Sequence, residues 1–177
     1  MALTITPGGA DDDSFAALAA ADQYAVSVGY TAWTDGADNL KENALRRGTA
    51  WIDGMYGRRW PGVRTNGRDQ ALGWPRYGAK DQDGFEISSS VIPREVERAT
   101  IEAAFRELSV PDSLTPDYVR ATQVKREKVG PIEREYHGDG STGDVTDLLP
   151  VLTIVEHILK PLIGGGSSDM TAKVQRG

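Results

Sequence analysis

The side chains with the greatest chemical reactivity are few in this sequence. It contains no cysteine and two histidines, His137 and His157, so cysteine nucleophiles, disulfides and cysteine-ligated zinc sites are excluded. His137 follows Tyr136 with no carboxylate or nucleophile pattern nearby, and His157 lies one position from the apolar stripe of a predicted helix. Both patterns favour structural histidines over metal ligands or general bases.

The carboxylates form no catalytic pattern either. Residues 81–84 (Asp-Gln-Asp-Gly) resemble part of a calcium loop, but Ala79 and Ser90 stand where its first and bidentate ligands belong, so we interpret the segment as a plain turn. The solvated face of one predicted helix is marked by glutamates at helical spacing: Glu95, Glu97, Glu102 and Glu107. A hydrolase would need a perturbed carboxylate pair in a pocket, and the sequence suggests none. We expect a protein that is not an enzyme and holds no cofactor or metal.

A glycine-rich segment at residues 138–143 could be mistaken for a phosphate-binding loop. It lacks the Lys-Ser/Thr ending and a preceding buried strand, and acidic residues flank it. We therefore predict a hinge.

Arginines interleaved with aromatic residues form the one pattern suited to ligand binding. The aromatic residues are Trp60, Trp74, Tyr77 and Phe85. Proteins that bind single-stranded nucleic acid stack bases on such rings and hold phosphates with guanidinium groups. Both tryptophans precede proline in tight turns, however, which favours buried rings. We predict that Trp60 and Trp74 anchor the loop, and strand binding stays open as an alternative.

The composition predicts a soluble, loop-rich domain. The chain has 177 residues, of which 39% are hydrophobic, with 20 glycines, nine prolines and a net charge of −6. No apolar run is long enough for a membrane span, and the amino terminus lacks the pattern of a secretory signal. We expect a protein that is not exported and does not contact membranes. Its negative charge disfavours general affinity for duplex DNA.

Charge is segregated along the chain. Residues 1–40 carry six acids and no Lys or Arg, residues 58–80 carry six basic residues against Asp69, and residues 81–118 carry nine acids against three arginines. Blocks of opposite sign can meet within a subunit or between copies, although alternating solvated faces give the same pattern. We place four residues of the basic block at a candidate subunit or partner interface: Arg58, Arg59, Arg64 and Arg76.

Hydrophobic periodicity predicts a mainly α protein, a small bundle of about four helices. The predicted helices span residues 14–28 (with a break near Asp22), 38–55, 93–108 and 147–162. In the second helix, an apolar stripe runs from Leu40 to Met55 and leaves Lys41 on the polar side. No helical period persists from residue 58 to 92, so we predict one long functional loop.

The carboxyl-terminal part adds a predicted β-hairpin arm at about residues 119–137, whose two extended halves are interrupted by Gly130-Pro131. Its polar faces must be solvated or pair outside the core. Its candidate interface residues are Val124, Arg126, Lys128, Ile132 and Tyr136. The helical domain spans residues 1–163, and residues 164–177 form a polar tail that is flexible or ordered by a partner.

The order of these features resembles that of tailed-phage head-tail connector adaptors, or head completion proteins. The resemblance covers about residues 3–163. It is carried by residues 45–53 (LRRGTAWID), residues 70–76 (QALGWPR), Asp83-Gly84, Ile92-Pro93 and residues 124–132 (VKREKVGPI). Such sequences are often labelled as DnaT-like proteins that bind single-stranded DNA.

The resemblance implies a structural virion protein that forms a ring, commonly of twelve copies, with a heterologous contact between neighbours. The ring lies below the portal protein, joins it to the next neck or tail completion protein and surrounds the DNA exit channel. Genomic DNA would pass without specific binding, which suits an acidic surface. The expected location is the virion neck, and the host cytoplasm before assembly. The alternative is a replication accessory protein that binds single-stranded DNA.

Overall fold

The computed structural model describes residues 2–115, the backbone of residues 126–129 and 132–135, and residues 151–163. Its five helices are α1 (Leu18–Val28), α2 (Thr31–Thr34), α3 (Asp38–Tyr56), α4 (Arg94–Ser109) and α5 (Thr153–Ile163). Two antiparallel ribbons accompany them, β1 (Val63–Arg64) with β2 (Arg76–Tyr77), and β3 (Arg126–Val129) with β4 (Ile132–Glu135). The predicted mainly α class with a small hairpin is confirmed.

The antiparallel pair α3 and α4 forms the centre of the bundle. The amino-terminal half of α3 shares a buried cluster with Ile101 and Ala104, and its carboxyl-terminal half shares another with Val96 and Ala99. The helices touch at Gly48, where an added Cβ would lie 2.9 Å from the Ala104 nitrogen. Both clusters therefore form along one backbone-to-backbone contact.

Helix α1 begins later than predicted, because residues 14–17 are tied to α3 instead. The Phe15 amide donates to Thr49 Oγ1 at 3.1 Å, and the Ser14 hydroxyl bonds within its own turn. The predicted break near Asp22 is wrong, since α1 continues to Gly29, which ends it with a φ of 80°. Helix α2 was not predicted.

The residues before α1 form a clip, defined as residues 2–13, between α3 and the long loop. Arg46 donates to the Ala2 carbonyl at 3.0 Å and to Asp13 at 2.7 Å, so both ends of the clip meet α3. Between them the Gly8 carbonyl accepts a bond from Asn66, and the Gly9 carbonyl accepts one from the Ala71 amide. The clip therefore runs from α3 to the long loop and back to α3.

Lys41 is buried, so its predicted place on the polar side of α3, away from the core, is wrong. Its ammonium lies 3.0 Å from Asp22 and 3.7 Å from Asp38. The buried Trp33 of α2 donates to the same Asp22 carboxylate at 2.8 Å. Two carboxylates offset the cost of burying the ammonium. Leu40, predicted to line the core, is 51% exposed.

Glu102 and Glu107 are also buried, which corrects their predicted place on a solvated face. Glu102 accepts hydrogen bonds from the Tyr24 and Tyr30 hydroxyls at 2.6 and 2.9 Å. Burial and this carboxylate raise the pKa of Tyr30 to about 12. A prediction from hydrophobic periodicity places every glutamate on the exposed face of a helix. It therefore fails for a buried carboxylate that accepts hydrogen bonds from other elements.

Glu107 fixes the carboxyl-terminal end of α4. Its carboxylate accepts the amides of Asp112 and Leu114 at 2.9 and 3.3 Å and pairs with Arg47 at 2.7 Å. The turn after the helix is thereby held against α3.

The segment between α3 and α4 is the predicted long loop, with two single helical turns and the β1–β2 ribbon inside it. The plain turn predicted at residues 81–84 is confirmed, because the Gly84 amide bonds to the Asp81 carbonyl and the Phe85 amide to the Asp81 side chain. The loop meets α5 where the Gln82 amide donates to the Pro161 carbonyl at 2.9 Å.

Helix α5 begins later than predicted, since residues 151–152 are not helical. Pro161 occupies the last turn of this helix. The predicted hairpin is present at β3–β4, with Arg126 paired to Glu135 and Val129 to Ile132. The predicted hinge at 138–143, His137 and the tail at 164–177 lie outside the described residues. In the described part of the chain, no helix has the length and apolar character to cross a membrane.

We expect the substitution Glu102→Ala to lower the free energy of unfolding by about 1–3 kcal/mol, because two partly buried hydroxyls lose their acceptor. Urea denaturation of the purified chain measures this. Glu95→Ala on the same helix is the matched control and should change stability by no more than about 0.5 kcal/mol. Equal effects of the two substitutions would contradict a structural role for Glu102.

Candidate functional site

The long loop is the candidate site, and an aromatic row forms its base. Trp60 is 5% exposed and Trp74 is fully buried, with their rings edge to face at 5.9 Å. Tyr56 lies next to Trp60 at 6.1 Å and continues the row to Trp51 of α3. The two loop tryptophans are buried as an anchoring role requires, and the anchoring itself stays a prediction.

Three polar side chains hold the loop backbone in place. Asp53 at the end of α3 accepts the Gly73 amide at 2.9 Å. Gln70 is buried and donates to the carbonyls of Leu72 and Pro75 at 2.8 and 3.0 Å. These bonds satisfy backbone groups that the loop's irregular conformation would otherwise bury without partners.

Arg76 is the third polar residue, and its guanidinium is engaged within the loop. It donates to the carbonyls of Pro61 and Gly62, both at 2.6 Å, and of Gly73 at 3.0 Å. Burial, together with the nearby charge of Arg64, lowers the pKa of Arg76. Its predicted interface role stays a prediction.

Two glycines allow the loop segments to approach closely. Gly62 has a φ of 67°, and an added Cβ would collide with the Tyr77 carbonyl across the β1–β2 ribbon. At Gly73 an added Cβ would collide with the Asp53 carboxylate. The loop is therefore a packed structure with a defined outer surface.

That outer surface carries two exposed apolar residues of the β1–β2 ribbon, and we call it the ribbon face: Val63 and Tyr77. Val63 and Tyr77 are 63% and 70% exposed and lie directly opposite each other in the ribbon. Arg64 is the next residue of β1 and therefore points to the other side of the ribbon, where it donates to the Gln70 carbonyl at 3.4 Å.

The other predicted interface residues are spread over the molecule. Arg58 is exposed, whereas Arg59 lies 3.3 Å from Glu156 and over the Tyr56 ring. Arg126, Lys128 and Ile132 occupy hairpin positions. Val124 and Tyr136 lie outside the described residues. Their interface roles all stay predictions.

A second surface lies at the opposite end of α3, and we call it the acidic end: Asp22, Val26 and Asp38. Asp22 and Asp38 share the Lys41 ammonium, which brings α1 and α3 together there. Val26 follows Asp22 by one helical turn, on the same face of α1, and is 69% exposed. Sequence analysis found the acidic block but not the exposed Val26 beside Asp22.

The described residues include side chains of types that ligate metals, and a surface groove. None of their His, Asp and Glu side chains group as a metal site. A surface groove of about 360 Å³ between α1 and α4 is lined by residues that include Gln23, Tyr24, Arg94 and Arg98. Burial raises the pKa of Glu97 in this groove, and Arg98 opposes the shift.

Comparison with known proteins identifies the protein family of this chain. A family model described as "Putative DnaT-like ssDNA binding protein" matches residues 1–177. The chain belongs to this family. No curated protein matches the chain, and no solved structure matches it either.

We expect Trp74→Ala to lower the free energy of unfolding by about 3–5 kcal/mol, because the buried ring fills the base of the loop. Chemical denaturation followed by circular dichroism measures the loss. The exposed Tyr77→Ala is the control and should change stability by no more than about 0.5 kcal/mol. An unchanged stability of the Trp74 variant would remove its anchoring role.

Proposed function

We propose that this protein is a head-tail connector adaptor of a tailed-phage virion, which forms a ring below the portal and joins it to the next neck component. The carrying observation is the β3–β4 hairpin. Within the described part of the chain it pairs with no third strand. The proposal also rests on the resemblance of residues 45–53, 70–76 and 124–132 to such adaptors.

The hairpin is suited to binding a partner through its backbone. A two-stranded ribbon is marginally stable alone in water. Each outer edge of the β3–β4 ribbon leaves N–H and C=O groups that another chain can pair with. Its register sets Arg126, Glu127 and Lys128 opposite Glu135, Arg134 and Glu133, so each of these positions joins residues of opposite charge. A strand or loop of the portal, or of a neighbouring copy, would extend this ribbon.

The charge of the chain fits a conduit for DNA. With a net charge of −6, the protein has little general affinity for the duplex that passes through the ring. Some basic residues are already paired within the molecule, as with Arg76 on loop carbonyls, Arg47 on Glu107 and Lys41 on Asp22. An adaptor that surrounds the exit channel must bind DNA weakly, so that the duplex can pass through.

Replacing residues 124–136 by a short Gly-Ser linker should abolish co-sedimentation with the portal, because the free strand edges are removed. Sedimentation of purified portal with the full chain and with the variant measures this. A second variant without residues 164–177 tests the predicted tail contact in the same way, and circular dichroism verifies that both variants keep the bundle. If both variants co-sediment as well as the full chain, the assignment is wrong.

Binding of single-stranded DNA is a second candidate function, favoured by two exposed aromatic residues. Tyr77 and Phe85 are 70% and 72% exposed on the same loop as Arg64 and Arg68. The family description points to the same ligand. Stacked bases would occupy the rings while the arginines hold the phosphates. The buried Trp60 and Trp74 are excluded from this role.

If the chain binds single strands, the double substitution Tyr77→Ala/Phe85→Ala should remove about 1–3 kcal/mol of binding free energy per stacked base. Titration of a labelled oligonucleotide at several salt concentrations measures this. Arg64→Gln should reduce the salt slope by about one unit, and the exposed Arg98→Gln on α4 is the matched control. Negligible binding of the unmodified chain at physiological salt would favour the adaptor.

A further inference from the structure

A turn in the long loop presents an aromatic side chain to solvent, and we call it the acidic turn: residues 80–86. Phe85 is 72% exposed, the largest fraction among the exposed large apolar residues of the described part of the chain. The turn contains one lysine and three acids, so its net charge is −2. A large exposed aromatic ring among charged groups is typical of a surface that binds another protein.

Hydrogen bonds hold the backbone of the acidic turn in one conformation. The Asp81 amide donates to the Phe85 carbonyl at 3.0 Å, and the Phe85 amide donates to the Asp81 carboxylate at 2.8 Å. Lys80 and Glu86 pair as an antiparallel bridge at its base. A residue held in this way loses little conformational entropy on binding, so Phe85 is suited to anchor a contact.

The groove between α1 and α4 has the complementary chemistry. Its volume is about 360 Å³, which is within the range of pockets that enclose small ligands and leaves room for one aromatic side chain. The charged residues that line it are Arg94, Glu97 and Arg98, which together carry one positive charge. Both arginines are exposed. Ala20 of α1 and Ile101 of α4 contribute apolar lining.

We propose that the acidic turn of one copy binds in the α1–α4 groove of a second copy of this chain. Phe85 would enter the groove, while the carboxylates of Asp83 and Glu86 would meet the guanidinium groups of Arg94 and Arg98. Burial of the ring would drive association, and the charges would set its orientation. The inference rests on the proposed adaptor function, for which it assigns the contact between neighbouring copies.

The occupant is a second copy because one chain carries both halves of the complementary pair without joining them. Among the described residues the groove is lined by α1 and α4 alone, and Phe85 stays exposed on its own chain. Each copy therefore keeps one free turn and one free groove after a first contact. A contact between two different surfaces propagates from copy to copy and closes into a ring when the rotation allows it.

Charge reversal on each side tests the contact. One variant carries Arg94→Glu and Arg98→Glu, and the other carries Asp83→Lys and Glu86→Lys. Each alone should self-associate at least about tenfold more weakly than the unmodified chain, because like charges then face each other. An equimolar mixture should recover association, since each reversed surface then finds its complement. Sedimentation velocity and native mass spectrometry on nuclease-treated protein measure this, and circular dichroism verifies the fold of each variant.

Two matched controls separate this contact from general effects of charge and of exposed rings. Arg68→Glu with Arg106→Glu changes the net charge as the groove variant does, at two exposed arginines outside the groove and the turn. It should associate like the unmodified chain. Phe85→Ala should weaken association at least about tenfold, whereas Tyr77→Ala on the ribbon face should leave it unchanged. Equal weakening by either control, or unaltered association of both reversed variants, would overturn the proposal.

The chain contains no cysteine, so cross-linking identifies the contact directly. Gln82→Cys in the acidic turn and Gln23→Cys in the groove alter neither the charges nor the ring of the proposed contact. The two proteins are mixed and treated with a short bismaleimide, and the mixed 82–23 product should dominate over 82–82 and 23–23 products.

Dominant 82–82 or 23–23 cross-links would show a symmetric contact and contradict the proposal, and so would an unmodified chain that stays monomeric at every concentration. Portal co-sedimentation of the unmodified chain is scored separately, so a failure of this contact and a failure of the adaptor function are distinguishable.

Discussion

The close approach of α3 and α4 at Gly48 is the constraint on which the remaining structure depends. An added Cβ there would lie 2.9 Å from the Ala104 nitrogen and 3.0 Å from the Thr100 carbonyl, so only glycine allows the two backbones to meet. The meeting point divides the interior into two clusters, one under α1 and α2 and one under the loop and α5. The two ends of α3 therefore acquire different neighbours, and with them different surface chemistry.

Periodicity and end signals predicted the two central helices well. The apolar stripe of α3 and the proline before α4 gave boundaries within a few residues of those observed. The turn-rich composition between these helices also predicted the long loop. These features depend on local sequence, which is why they could be read from it.

Tertiary contacts decided what the sequence could not reveal. Lys41, Glu102 and Glu107 are buried because charged and polar groups of other elements pair with them. Trp33 lies in α2, a helix of one turn that is too short to show a hydrophobic period. At the candidate site, tight Trp-Pro turns predicted buried tryptophans. The polar residues Asp53, Gln70 and Arg76, which hold the loop, had no distinguishing signal, since their partners are backbone atoms of an irregular segment.

The clip formed by residues 2–13 has a dynamic consequence for the ribbon face. It is bonded to α3 at both ends and to the loop at Gly8 and Gly9. An added Cβ at Gly8, whose φ is 87°, would lie 2.9 Å from the side-chain nitrogen Nδ2 of Asn66. A rearrangement of the loop there would break these hydrogen bonds to the first residues of the chain. We therefore expect clip and loop to open together, with amide hydrogen exchange in both segments proceeding by the same fluctuation.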